Sequence, residues 1–139
     1  MNNNNDALNI WFSLSNSFHL IHDKLEKMLE EQYDLSLKEF YVLYFISNTD
    51  DKELRLQQIQ EMVGLSQSAT SRLIVRMEEK DCGALERHVC EDDKRGIYTR
   101  ITELGENKFQ RALKAFNELL QKEFEQGEMT KLQTIFNKM

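Results

Sequence analysis

Apolar residues recur at every third or fourth position near both ends of this chain, which predicts amphipathic helices there. Near the N-terminal end the stripe lies within residues 7–32 and includes Trp11, Phe18 and Leu25. Near the C-terminal end a long helix is predicted to begin at Thr102, and a short last helix follows it. These stripes are wider than one small core can cover, so they could pack against a second copy of the chain or form a helical cap within it.

The pattern of the central segment changes twice. Ser36 and Glu39 have the spacing of a capping box, and the helix that they open is apolar nearly all round up to Ser47, so we expect it to be buried. A short helix (QQIQEMV), a tight turn (GLS) and a second helix (QSATSRLIVRMEEK) follow, with Gly64 suited to a C-cap and Ser66 to an N-cap. This order predicts a helix-turn-helix, a motif that holds DNA.

The second helix of this motif has an inward apolar stripe and a polar outward face. The predicted DNA-reading face combines small polar groups near the helix start with arginines one turn apart, namely Ser66, Gln67, Ser68, Ser71, Arg72 and Arg76. Short polar groups can approach base edges in the major groove while arginines reach phosphates. The alternative interpretation is an ordinary solvated helix face.

Two strands, ALERHV and IYTRI, flank a charged loop and predict a β-hairpin wing, with a possible third strand at residues 54–56. Lys94 and Arg95 are the candidate DNA contacts of the loop, because an arginine at a hairpin tip can enter the narrow minor groove. Asp93 stands two residues before Arg95 and could hold its guanidinium in place. A surface hairpin with a loose salt bridge would give the same pattern.

The motif D-x-R, five residues and I-T-x-x-G at residues 93–105 resembles the wing and helix start of the MarR family of bacterial winged-helix transcription regulators. The resemblance implies a single domain over residues 1–139 that is mainly α-helical. In that domain a winged helix-turn-helix lobe with a small antiparallel β-wing spans residues 36–101. Helices within 7–32 and 102–139 form a dimerisation layer. It further implies a homodimer that binds a pseudo-palindromic site on double-stranded DNA as a repressor and is relieved by a small-molecule effector.

Composition sets limits on this picture. The 139 residues are 40% hydrophobic and 30% charged, which predicts one globular domain. The formal net charge of −6 opposes nucleic-acid binding if taken globally, but residues 66–100 hold seven basic and seven acidic residues, so the excess lies elsewhere. No apolar run approaches the ~20 residues of a membrane span, and the start MNNNN lacks a signal-peptide pattern. We therefore expect a cytoplasmic protein without membrane contact.

Aromatic and histidine side chains of the first two helices are candidates for a ligand cleft, namely Trp11, His19, His22, Tyr41 and Tyr44. The family resemblance favours a small aromatic effector there, whereas helical aromatic residues more often belong simply to the core. His19 and His22 stand at i,i+3 without a recognised acid or thiol nearby, so we predict no metal site and no cofactor.

The sequence also bears on three other classes of function. The chain lacks the nucleophile-elbow, phosphate-loop, dinucleotide-binding and zinc-protease motifs, so we expect no enzyme. Cys82 and Cys90 flank the predicted hairpin, which leaves a redox-sensing regulator of the same fold as an alternative. The net acidic charge leaves an adaptor that binds protein rather than DNA as the other alternative.

Overall fold

The computed structural model describes residues 3–79, 83–89 and 97–137. Its elements follow in the order α1 (Asn3–Tyr33), α2 (Leu37–Ser47), β1 (Glu53–Arg55), α3 (Leu56–Val63), α4 (Gln67–Glu79), β2 (Leu85–Val89), β3 (Ile97–Ile101), α5 (Glu103–Gln126) and α6 (Glu128–Asn137). The predicted fold class, mainly helical with a small antiparallel sheet, is confirmed. Among the helices in these ranges, none is long and apolar enough to cross a membrane.

Helix α2 begins at the predicted capping box and runs through the core. The Ser36 hydroxyl accepts the Glu39 N–H at 3.1 Å, and Glu39 Oε1 accepts the Ser36 N–H at 2.7 Å. Farther along, the Phe40 ring stacks on Phe116 with centroids 4.6 Å apart and contacts Phe109 at 5.5 Å. Because Phe109 and Phe116 belong to α5, these contacts join α2 to α5 inside the apolar core.

The sheet has the strand order β1-β3-β2, and both pairings are antiparallel. Thr99 at the middle of β3 pairs with Leu54 on one side and Arg87 on the other. Leu54 and Thr99 are buried, so the β1 and β3 members of this row face the core, whereas Arg87 at the β2 edge is exposed. The strand predicted at 54–56 is present one residue earlier, because Leu56 already begins α3.

One carboxylate joins α1, α5 and α6. Glu123 is 7% exposed and accepts hydrogen bonds from the Lys24 ammonium and from the Glu128 N–H, each at 2.7 Å. The hydrogen bond from Lys24 is the main reason that the pKa of Glu123 lies below its usual value, and the Glu128 N–H adds to it. Ser17 of α1 donates to Glu128 at 3.0 Å, which ties the start of α6 to the same cluster.

The start of α5 packs tightly against the segment that leads into β2. Thr102 is the N-cap, and its hydroxyl accepts the Gly105 N–H at 3.0 Å and donates to the Gly83 carbonyl at 2.7 Å. The Thr102 N–H donates to the Ala84 carbonyl at 3.0 Å. A Cβ on Gly105 would overlap that carbonyl oxygen and approach the Ile101 side chain to 2.9 Å. The T-x-x-G motif therefore lets α5 lie directly on the base of the wing.

Replacing Gly105 with Ala should lower the free energy of unfolding by about 1–3 kcal/mol, because the added methyl forces the backbone apart. Asn107→Ala is the matched control, since Asn107 is exposed on the same helix, and it should change stability by less than about 0.5 kcal/mol. Urea denaturation measures both variants. A Gly105→Ala protein as stable as the parent would contradict this account of the junction.

Candidate nucleic-acid interface

The turn between α3 and α4 is built from two caps. Gly64 ends α3 in the left-handed conformation with φ of 71°, and its N–H donates to the Gln60 carbonyl at 3.0 Å. The Ser66 hydroxyl accepts the Ala69 N–H at 3.1 Å, and the buried Thr70 hydroxyl donates to the Ser66 carbonyl at 2.8 Å. Both predicted caps are confirmed, and they fix where α4 starts.

Helix α4 has one buried and one exposed face. The buried face consists of the residues Thr70, Leu73, Ile74 and Met77. Most of the predicted reading residues are exposed, namely Ser66, Gln67, Ser68, Arg72 and Arg76, and Ser71 is half-buried. The small polar groups lie on the first turn and the arginines on the following turns, an order suited to a helix that enters a groove N-terminus first.

No acidic residue interrupts this face. Between Glu61 and Glu78 the sequence contains two arginines and no aspartate or glutamate, although acidic residues outnumber basic ones by 24 to 18 in the chain. The segment includes the turn and nearly all of α4. A negatively charged backbone such as that of DNA could therefore approach the first three turns of α4 without meeting a carboxylate, since the two acids of the helix, Glu78 and Glu79, stand at its C-terminal end.

Lys38 adds a cation to this side of the molecule, and sequence reasoning missed it. Its ammonium donates to the Val63 carbonyl at the end of α3 at 2.8 Å, and it borders a surface depression of about 500 Å³ together with Arg72 and Arg76. Arg76 Nε lies 4.0 Å from the buried Glu39 carboxylate. A lysine in the first turn of a helix opposes the helix dipole, and that was the only signal in the sequence.

Arginines at the base of the wing are paired within the protein. Arg87 Nε lies 2.6 Å from Glu78 Oε1, and Arg100 Nε lies 2.6 Å from Glu86 Oε1. Within the ranges that the structure describes, Arg72 makes no such ion pair. Arg72 on α4 is therefore less engaged by internal carboxylates than Arg87 and Arg100 on the strands.

The tip of the wing holds three of the residues predicted to contact DNA or to orient such a contact. Lys94, Arg95 and Asp93 lie outside the described residues. Their assignment as DNA contacts and as a wing-orienting carboxylate stays a prediction from the sequence. Cys82 and Cys90 also lie outside the described residues, so the redox alternative stays a prediction as well.

The five residues predicted for a ligand cleft divide between two openings. Tyr41 and Tyr44 line a cavity of about 420 Å³ formed by α2, α3 and α5. Trp11 and His22 line a groove of about 620 Å³ between α1, α2, α5 and α6, which Tyr41 also borders, whereas His19 lines neither. Burial raises the pKa of Tyr41. The two openings share Tyr41 of α2 and Phe116 of α5 as lining residues.

The surroundings of the two histidines differ from the expectation. His22 Nδ1 lies 3.8 Å from Glu26 Oε2 and 3.9 Å from Asp23 Oδ1, while His19 Nε2 lies 3.7 Å from Asp23 Oδ2. The statement that no acid lies near these histidines was therefore wrong. Its physical reason is helical spacing, since Asp23 and Glu26 each follow a histidine by four residues on α1.

A helix-turn-helix with an exposed polar reading face, backed by a three-stranded wing, defines the class of winged-helix transcriptional regulators. Within that class, the model of the family described as transcriptional regulator SarA/Rot matches residues 24–112. This match covers more than half of the chain, which therefore belongs to the SarA/Rot family. A comparison with curated proteins gave no match.

Solved structures agree on the fold. AbsC, a MarR family regulator from Streptomyces coelicolor, superposes with a TM-score of 0.77 at 21% identity, over 96% of this chain and 90% of AbsC. Sco3205, a MarR family regulator from the same organism solved in complex with DNA, superposes with a TM-score of 0.76 at 20% identity, over 92% of this chain and 81% of Sco3205. NadR, solved in complex with 4-hydroxyphenylacetate, superposes with a TM-score of 0.67 at 14% identity, over 91% of this chain and 89% of NadR. The predicted MarR-type winged-helix regulator is thus confirmed, and family and fold are those of transcriptional regulators rather than enzymes.

Proposed function

We propose that the protein binds a pseudo-palindromic DNA operator as a homodimer and represses transcription until a small aromatic molecule releases it. The observation that carries the proposal is the exposed, acid-free face of α4. Gln67 and Ser68 are placed to approach base edges while Arg72 and Arg76 contact phosphates. The complex of Sco3205 with DNA supports the proposal, because that protein has the same fold.

The DNA-binding proposal predicts a steep dependence on salt. A dimer that engages about 6–8 phosphates should show log K falling with log salt at a slope of about −5 to −7. Arg72→Ala removes one such contact per subunit, so the slope should become shallower by about 2 in a dimer. Gln67→Ala should keep the slope but lose about 1–3 kcal/mol of discrimination per half-site, since glutamine pairs with adenine. Fluorescence anisotropy measures each on duplexes selected from a random pool.

Arg111→Ala is the matched control for these variants, because Arg111 is an exposed arginine of α5 that lies outside the reading face. It should leave both the slope and the discrimination unchanged. Binding that ignores salt, or no binding to any duplex at low salt, would contradict the proposal and favour an acidic adaptor.

The homodimer is inferred from apolar side chains that the single chain leaves in water. Large exposed residues cluster on the helices at the two ends of the chain, namely Leu8, Trp11, Phe12, Phe18, Phe124 and Phe136. Trp11 is 60% exposed and Phe18 66% exposed, and both border the groove of about 620 Å³. A soluble monomer rarely exposes so much contiguous apolar surface, and a second copy of α1, α5 and α6 would cover it.

Replacing Trp11 and Phe18 together with Glu should convert a dimer into a folded monomer, because exposed positions tolerate charge while a buried interface does not. Sedimentation equilibrium gives the mass and circular dichroism the helix content. Ile97→Glu is the control, since Ile97 is 57% exposed on β3 of the wing, outside the terminal helices. A parent protein that sediments as a single chain at micromolar concentration would contradict the dimer.

The effector proposal rests on the cavity between α2, α3 and α5. Its lining is apolar and aromatic, with Phe40, Tyr44 and Met62 among it, and Lys38 is the one charged residue. This chemistry fits a small aromatic carboxylate, and NadR in complex with 4-hydroxyphenylacetate offers a precedent in a protein of the same fold. Because Lys38 also borders the depression beside Arg72, a carboxylate that attracts its ammonium would disturb the DNA-reading side.

Isothermal titration with 4-hydroxyphenylacetate tests this site. Lys38→Met should weaken binding by about tenfold to a hundredfold, because a charge-assisted hydrogen bond is lost. The same variant should bind 4-methylphenol as the parent does, since that compound has no carboxylate. Failure of the parent to bind either compound, or equal binding of the acid by Lys38→Met, would contradict the assignment.

A further inference from the structure

Helix α1 carries two imidazoles and two carboxylates on one stripe. His19, His22, Asp23 and Glu26 stand at i, i+3, i+4 and i+7, so they share one face over two helical turns. We propose that this cluster binds one divalent transition-metal ion, with His22, Asp23 and Glu26 as ligands and His19 beside Asp23.

The separations fit a single ion. One ligand atom from each of His22, Asp23 and Glu26 lies within 4.8 Å of the other two, and His22 Nδ1 is 3.8 Å and 3.9 Å from its two carboxylate neighbours. A tetrahedral Zn²⁺ with bonds of about 2.0–2.2 Å holds neighbouring ligand atoms about 3.3 Å apart. Side-chain rotation can close the remaining gap of about 0.5–1.5 Å, because the three side chains are between 36% and 60% exposed.

Asp23 lies between the two imidazoles. Its Oδ1 faces His22 and its Oδ2 faces His19 at 3.7 Å, so the same carboxylate can contact the ion and orient the second histidine. The neighbouring Lys24 does not compete for Asp23, because its ammonium is bonded to Glu123 on another side of the helix. The mixed nitrogen and oxygen donor set favours Zn²⁺, Ni²⁺ or Cu²⁺ over Mg²⁺ and Ca²⁺.

His22 is also held from a second side. Its ring lies 6.0 Å from the Phe18 ring between centroids, and it borders the apolar groove between α1, α2, α5 and α6. The three proposed ligands belong to one helix of one chain. The metal site can therefore be tested independently of dimerisation and of DNA binding.

Pairs of histidine and carboxylate at i,i+4 also stabilise helices without a metal, and the experiment must separate the two roles. Zn²⁺ is titrated by calorimetry into the full chain carrying Cys82→Ser and Cys90→Ser, which removes both thiols as competing ligands. We expect saturable binding of one ion per chain. His22→Gln and Glu26→Gln should each weaken it at least about tenfold, since even outer-shell changes cost that much.

The chain contains three histidines, which supplies a matched control. His88 contacts a single carboxylate, that of Glu53 on β1, so His88→Gln should bind Zn²⁺ as the parent does. Paramagnetic Co²⁺ should broaden the ring-proton signals of His19 and His22 before that of His88. Circular dichroism verifies that the variants keep their helix content.

Three outcomes would overturn the proposal. They are absence of saturable Zn²⁺ binding, equal competition by Mg²⁺ at the same concentration, and loss of binding in His88→Gln but not in His22→Gln. Either of the first two outcomes would mean that the four side chains only form ion pairs on the helix surface. The third would mean that the metal binds at the wing.

Discussion

Helix α2 is apolar on nearly every side, and the rest of the chain must surround it to keep it from water. Its ring Phe40 contacts Phe109 and Phe116 of α5, while its capping-box residue Glu39 lies beneath Arg76 of α4. The same helix supplies walls to the cavity and to the groove. Any shift of α2 would therefore change contacts both with the reading helix α4 and with the helices at the two ends of the chain.

An acidic protein can present a surface for DNA if its carboxylates are kept off one face. Glu78 and Glu86 pair with the arginines of the wing base, and Glu123 is bonded to Lys24 beneath α6. The segment between Glu61 and Glu78 holds no acid at all. The overall charge then opposes loose association along a duplex, while the two arginines of this acid-free segment favour docking of α4.

Lys38 would give the proposed effector a physical route to the DNA-reading side. It is bonded to the last carbonyl of α3, borders the aromatic cavity and borders the depression next to the arginines of α4. A ligand that draws its ammonium into the cavity would release the Val63 carbonyl at the turn of the helix-turn-helix. Such a coupling requires only that Lys38 make different contacts in the ligand-bound and the ligand-free protein.

The sequence determined the elements and their order, because these depend on local spacing. The capping box at Ser36, the left-handed Gly64, the helix start at Thr102 and the buried stripe of α4 were all predicted, and element ends differ by a few residues at most. Local spacing also placed two acids beside His22, although this was overlooked. Only the tertiary structure could show that Lys38 joins the reading side, that Tyr44 and Trp11 line different openings, and that Gly105 lies against the Ala84 carbonyl. These facts depend on contacts between residues far apart in the chain, and periodicity within one helix carries no information about which other helix will cover it.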